Sequence, residues 1–161
     1  MARPDWRRAR EMAEFAINLE IAGDIVAKRL LPLAREKAKK GLSFSTDGWA
    51  ELRSMHETVM ANIRLATSVL VSDDLECARM LVAVKSDIGR FERSSRKGHL
   101  KRLSEGGSVS FESSDIHLET LRGLKDLNSQ FSAVAYPILI RGGQLLETRL
   151  IKSLDEAHPE E

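Results

Sequence analysis

Two carboxylates, Glu20 and Asp24, stand four residues apart in the stretch NLEIAGDIV. On a helix that spacing puts both on one face, close enough to share one hard or borderline cation. Two carboxylates are short of a ligand set, so a metal cluster needs further donors from neighbouring helices. The alternative is that they pair with Arg or Lys, or face solvent, because a buried unpaired carboxylate is costly. Gly23 lies between them and costs about 1 kcal/mol against Ala in a helix interior. Its placement predicts close approach of another helix or a ligand.

Other reactive groups are sparse. Arg90, Arg93, Lys97 and Lys101 step by three and four along one helical face, a pattern that fits phosphate, an anionic surface or, more simply, solvent. Glu92 and Glu105 dilute the run and no aromatic residue shares its face, so no nucleic-acid partner is expected. His56, His99 and His117 match no zinc spacing and read as ordinary helix residues. The sequence has no HExxH, GxSxG, phosphate loop or dinucleotide fingerprint, and Cys77 has no histidine near it in sequence. No enzymatic activity is expected.

The elements that must position these residues follow from composition and period. The chain has 161 residues, 25 Lys plus Arg against 24 Asp plus Glu, and a single cysteine. It is long enough for one core, expected as one domain over residues 1–150, and its charge balance supplies no overall pull toward polyanions. The absence of a secretory-type apolar run or a membrane-length one predicts a cytoplasmic chain without a transmembrane segment. Few aromatics and abundant Ala, Leu, Glu, Lys and Arg predict an all-α class.

A first helix is expected from Asp5 to about Lys40, ended by Gly41 with Arg35, Lys37, Lys39 and Lys40 near its C-terminus. Ser45 or Thr46 caps a second, whose seam is Leu52, Met55, Val59, Ile63, Ala66 and Leu70. Ser72 and Asp73, with Glu76 three residues beyond, predict the cap of a third. Its seam is Leu81, Val84, Ile88 and Phe91, and it runs to about Leu103 before EGGS at 105–108. A fourth begins after residues 113–115, with the seam Leu121, Leu124, Leu127, Phe131, Val134 and Ile138, and closes at the glycines 142–143. Short connections make this an antiparallel bundle of about four long helices, with residues 151–161 a disordered tail. The first helix is apolar almost all round: Leu19, Val26 and Leu30 lie on one side, Ile17, Ile21 and Ile25 on another. Three partner helices cover only part of such a helix, so self-association, as a homo-oligomer, or missing cover is expected.

Residues 19–33 laid over residues 124–138 align LEIAGDIVAKRLLPL with LKDLNSQFSAVAYPI, matching Pro32 to Pro137 late in each helix. The segments LEIAGDIVAKRLLPLA, GLSFSTDGWAELRSMHETVMANIRLA and SSDIHLETLRGLKDLNSQFSAVAYPIL resemble the cytoplasmic PhoU-like region that follows the membrane domain in bacterial sodium/phosphate cotransporter family proteins. The resemblance covers most of residues 10–145. It implies two three-helix repeats, with metal clusters bound by E-x-x-x-D motifs.

Glu20 and Asp24 match the acidic motif of the first repeat, where iron, manganese or zinc is expected. Lys125 and Ser129 hold the equivalent places in the second and depart from the pattern. By the same resemblance this chain starts at the third of six helices. The expected role is non-enzymatic regulation of phosphate transport, docked to a membrane phosphate transporter domain or a second subunit at the inner face of the membrane. Two alternatives stand beside it. One is a carboxylate-rich metal-binding bundle, although the Glu-x-x-His pair of such proteins is absent, with Glu14 followed by Ile17 in the histidine place. The other is a helical interaction module unrelated to phosphate.

Overall fold

The computed structural model describes residues 3–104 and 111–144. The predicted EGGS break and the tail at 151–161 lie outside the described residues. Every element among those described is helical: α1 (Arg3–Asp24), a π-helical segment (Ile25–Leu30), α2 (Leu31–Lys39), α3 (Thr46–Ser72), α4 (Leu75–Ser104), α5 (Phe111–Ser132) and α6 (Ala135–Arg141). The all-α bundle expected from the sequence is therefore observed.

α1, the π segment and α2 form one unbroken run, the expected first helix. Pro32 explains why its middle is wide. Without an N–H it cannot donate to the Lys28 carbonyl, and in α-helical register its ring would crowd that carbonyl. The chain opens into a π turn, where the Leu31 N–H reaches back five residues to the Val26 carbonyl. Pro137 acts similarly on the last helix. Its ring would clash with the Ala133 carbonyl, so α5 stops at Ser132, the Tyr136 N–H closes a tighter turn on Ala133 at 3.2 Å, and α6 restarts. Pro32 widens a continuous helix and Pro137 interrupts one that restarts, so neither ends its helix.

The ends follow local chemistry. Gly41 at φ 63° closes the first run, and Ser45 Oγ accepts from the Gly48 N–H at 3.1 Å to cap α3. At the next turn the expected cap moves by one residue. Asp73, in the left-handed region at φ 55°, ends α3, and Asp74 is the residue that caps α4, accepting from the Cys77 N–H at 2.7 Å. A two-residue link must turn the chain, and an aspartate tolerates that conformation better than most residues.

α3, α4 and α5 pack on one another, α6 continues against α4, and α1 lies chiefly on α5. One apolar cluster joins Leu52, Met55, Val59, Ile88, Leu121, Leu124 and Leu127 to Ala22 of α1. A second joins Ala66, Val69, Ala78, Leu81, Ala135, Ile138 and Leu139. Between them in chain position sits a buried polar layer: Asn62 Nδ2 donates to Asn128 Oδ1 at 2.7 Å and to Ser132 Oγ at 3.1 Å. The predicted seams are the core, with Ile63, Val84, Phe91, Phe131 and Val134 at its margin.

Candidate functional site

The first helix turns one narrow side to the bundle. Ala22 is buried, and Ile25 and Leu30 pack beside it. Phe15 meets Phe131 edge-on with ring centroids 6.4 Å apart. In the π segment Arg29 spans two carboxylates of α5, reaching Asp126 at 2.7 Å and Glu119 at 3.1 Å. Burial pulls the Arg29 pKa down, but the hydrogen bonds and charges of Asp126 and Glu119 outweigh it and leave it raised. Leu30 lies where a side chain at Gly123 would stand. The close approach foreseen at Gly23 occurs at Gly123 instead, because among the described residues Gly23 faces open space.

Much of the rest of α1 faces outward, and Glu20 and Asp24 are both there, exposed. Asp24 is held by Lys28 one turn on, at 2.7 Å. No group of three or more His, Cys, Asp or Glu among the described residues is placed to hold a metal ion. Two exposed carboxylates, one already tied to a lysine, fall short of the donor sets that iron, manganese or zinc require. Around them Met12, Ile17, Leu19, Ile21 and Val26 are exposed apolar side chains. The all-round apolar character read from the sequence thus persists as an outward face uncovered by any described element.

The positions matched by the internal repeat differ. Lys125, opposite Glu20 in that alignment, lies 3.9 Å from the buried carboxylate Glu92, which also accepts from Arg96 at 2.5 Å. Ser129 bonds back to the Lys125 carbonyl at 3.1 Å. In the second copy these places are taken up by bonds within the chain.

The expected basic stripe is present, with Arg90, Arg93, Lys97 and Lys101 all exposed on α4. Arg90 pairs with Asp87. His56 is an exposed helix residue, as read, but His99 and His117 are buried and stacked with ring centroids 5.5 Å apart. His117 Nε2 lies 3.1 Å from the Gly48 carbonyl and 3.5 Å from Glu51, and Ser95 donates to Glu51 at 2.7 Å. Zinc spacing could not reveal this pair. Extending the seams could, since His99 follows Glu92 and Ser95 on the buried side of α4, and His117 precedes Leu121 and Leu124 on α5.

Near the start of α1 a cleft of about 600 Å³ opens beside α6, lined by Trp6, Phe15, Tyr136 and Pro137 among others. At one side Arg8 and Arg141 both contact Asp73, at 3.3 and 3.1 Å, and both approach Glu11. This ring of alternating charge ties α1 to the α3–α4 turn and α6.

The chain has sequence relatives named for phosphate export. It is 35% identical over 139 residues to the "Putative inorganic phosphate export protein YjbB" of Escherichia coli O157:H7, a match covering 86% of this chain and 26% of that one. The protein of that name from Escherichia coli strain K12 matches at the same identity and coverage, and that of Salmonella typhimurium LT2 at 34%. The chain spans about a quarter of the length of these curated relatives. No protein-family model matches it, and no solved structure does. No helix among the described residues is long and apolar enough to cross a membrane.

Proposed function

We propose that this chain is a PhoU-like helical accessory region of a phosphate-transport system, non-enzymatic, acting at the cytoplasmic face of a membrane-embedded transport domain. The observation that carries the reading is the 35% identity across 86% of the chain to proteins named for inorganic phosphate export. Two features support the accessory role. The described helices are not of the membrane-spanning kind, and the first helix leaves an apolar face uncovered. A surface of that character favours association over catalysis.

Regulation in this reading is a difference in affinity: a region that docks on one state of a transporter more tightly than on another shifts transport toward that state. The acidic turn sits within the uncovered face, so its charge bears on what docks there. No metal step enters the proposal, because Glu20 and Asp24 do not complete a ligand set.

The test is binding of the purified chain to the remainder of the K12 relative, prepared without its matching segment and held in lipid nanodiscs. Saturable binding that changes with phosphate supports the reading. Absence of binding at high chain concentration contradicts it.

A further inference from the structure

One end of the bundle gathers side chains from several elements. There α2 stops, α3 begins and α4 runs out, and the three are tied together. Ser95 of α4 donates to Glu51 of α3 at 2.7 Å. Phe44, in the link between α2 and α3, meets His117 edge-on at 5.7 Å, and His117 stacks on His99 of α4. Around this junction Leu100 is 57% exposed and Trp49 53%. Singly, such residues are ordinary on a protein surface. The charge around them is what sets these two apart.

Lys37 and Lys39 lie in the last turn of α2, and Arg93, Lys97 and Lys101 are exposed along the last turns of α4. Arg93 to Lys101 spans about 12 Å of helix, and Leu100, two turns beyond Arg93, shares its side. The acids at this end are fewer and mostly engaged. Glu36 is held by Lys40 at 2.8 Å, Glu51 is turned to Ser95 and His117, and Glu92 is buried against Arg96. Asp47 and Asp115 are exposed, and Asp47 stands in the first turn of α3, where the helix dipole offsets its charge.

A row of cations with a tryptophan and a leucine exposed among them fits one kind of surface. Anionic lipid headgroups attract each Lys or Arg held near them, and Trp settles at headgroup level. A single phosphate calls for converging donors, which a row along a helix does not supply. Single-stranded nucleic acid calls for aromatic faces open to bases. Phe44 is already engaged: Trp49 stacks against it with ring centroids 6.4 Å apart and planes at 18°, and Lys37 Nζ stands 5.0 Å from its ring centre.

We infer that this end of the bundle rests on an anionic bilayer surface, with Lys37, Lys39, Lys97 and Lys101 at the headgroups and Trp49 and Leu100 entering the interface. Few apolar side chains enter, so the contact is peripheral, reversible and weakened by salt. The inference rests on the residues at this end and not on the phosphate reading, and the apolar face of α1 takes no part in it.

The test is flotation of the full chain with phosphatidylcholine vesicles, with and without phosphatidylglycerol. Trp6→Phe leaves Trp49 as the one tryptophan for fluorescence. The chain floats with the anionic vesicles only, and Trp49 emission moves to shorter wavelength as it binds. Lys97→Glu/Lys101→Glu weakens binding by about tenfold or more, whereas Arg7→Glu/Arg10→Glu, the same change in net charge at the other end, leaves it in place. Trp49→Ala/Leu100→Ala weakens binding with helical circular dichroism unchanged. No flotation with anionic vesicles, binding that survives Lys97→Glu/Lys101→Glu, or an unshifted Trp49 in the bound chain overturns the inference. Release by inorganic phosphate at constant ionic strength assigns the cations to free phosphate and overturns it. So does binding of single-stranded DNA by a chain that ignores the vesicles.

Discussion

Leu30 occupies the space that a side chain at Gly123 would need: a Cβ there would stand 2.5 Å from Leu30 Cδ2 and 3.3 Å from Cγ. Gly123 thereby lets α5 approach the π segment closely enough for Arg29 to span Asp126 and Glu119. Gly123→Ala gains about 1 kcal/mol of helix propensity but overpacks a contact at a cost of about 1–3 kcal/mol. Its melting temperature is expected to fall. Gly23→Ala, in open space, gains the propensity without the clash and is expected to melt higher in dilute solution. Thermal denaturation of the two variants side by side checks the opposite signs.

Asn62 joins α3 to α5 through Asn128 and Ser132 in the buried layer. Asn128→Ala leaves the Asn62 amide without its shorter acceptor, and an unmet buried donor costs about 1–3 kcal/mol. Urea unfolding is expected to show a stability lowered by that amount, read as a lower midpoint with the slope unchanged.

Asp74 holds the start of α4. Its pKa is lowered, chiefly by the Cys77 backbone N–H, and also by the Cys77 thiol. A carboxylate whose folded pKa lies below its unfolded value stabilises fully above the unfolded value, about 4, and loses that contribution as pH falls through the folded one. Asp74→Ala is expected to melt below the parent chain at neutral pH, with the gap closing in acid. Asp74→Asn, a good cap without a charge, is expected to keep most of the stability and lose this pH dependence. Melting temperatures across the acid range check both.

The same contact raises the Cys77 thiol pKa, first through the hydrogen bond to Asp74 and then through burial and the charges of Asp74 and Glu76. The thiol is therefore expected to react with iodoacetamide at neutral pH more slowly than a free cysteine, because the thiolate is the nucleophile. Asp74→Asn is expected to speed it.

For the acidic turn, elemental analysis of the purified chain is expected to find no stoichiometric iron, manganese or zinc. Glu20→Gln/Asp24→Asn purified identically is expected to match it. Stoichiometric metal lost in the double variant would mean that ligands from beyond the described residues complete the turn.

Much of the fold was legible because burial and helical period coincide in α3, α4 and α5. Leu52, Met55, Val59, Leu81, Ile88, Leu121 and Leu124 face the core as their spacing predicts. The capping step was less legible, since Asp73 and Asp74 are both competent caps and only the backbone turn decides between them. The glycine contact went to Gly123 rather than Gly23, because a glycine's lost side chain says nothing about which neighbour fills the space. The burial and stacking of His99 and His117 were not legible, because a search for metal spacing ignores polar residues that continue an apolar seam. For Glu20 and Asp24 the spacing gave the shared face and left metal, pairing and solvent open, since the choice depends on which helices lie against α1.

A chimera tests the proposed role in phosphate transport. The matching segment of the K12 relative is replaced by this chain, and efflux of radiolabelled phosphate is measured from cells loaded with it. The chimera is expected to match the intact relative in phosphate efflux, and the relative without the segment is expected to differ from both. Equal efflux from the chimera, the relative lacking the segment and cells lacking the relative altogether would contradict it.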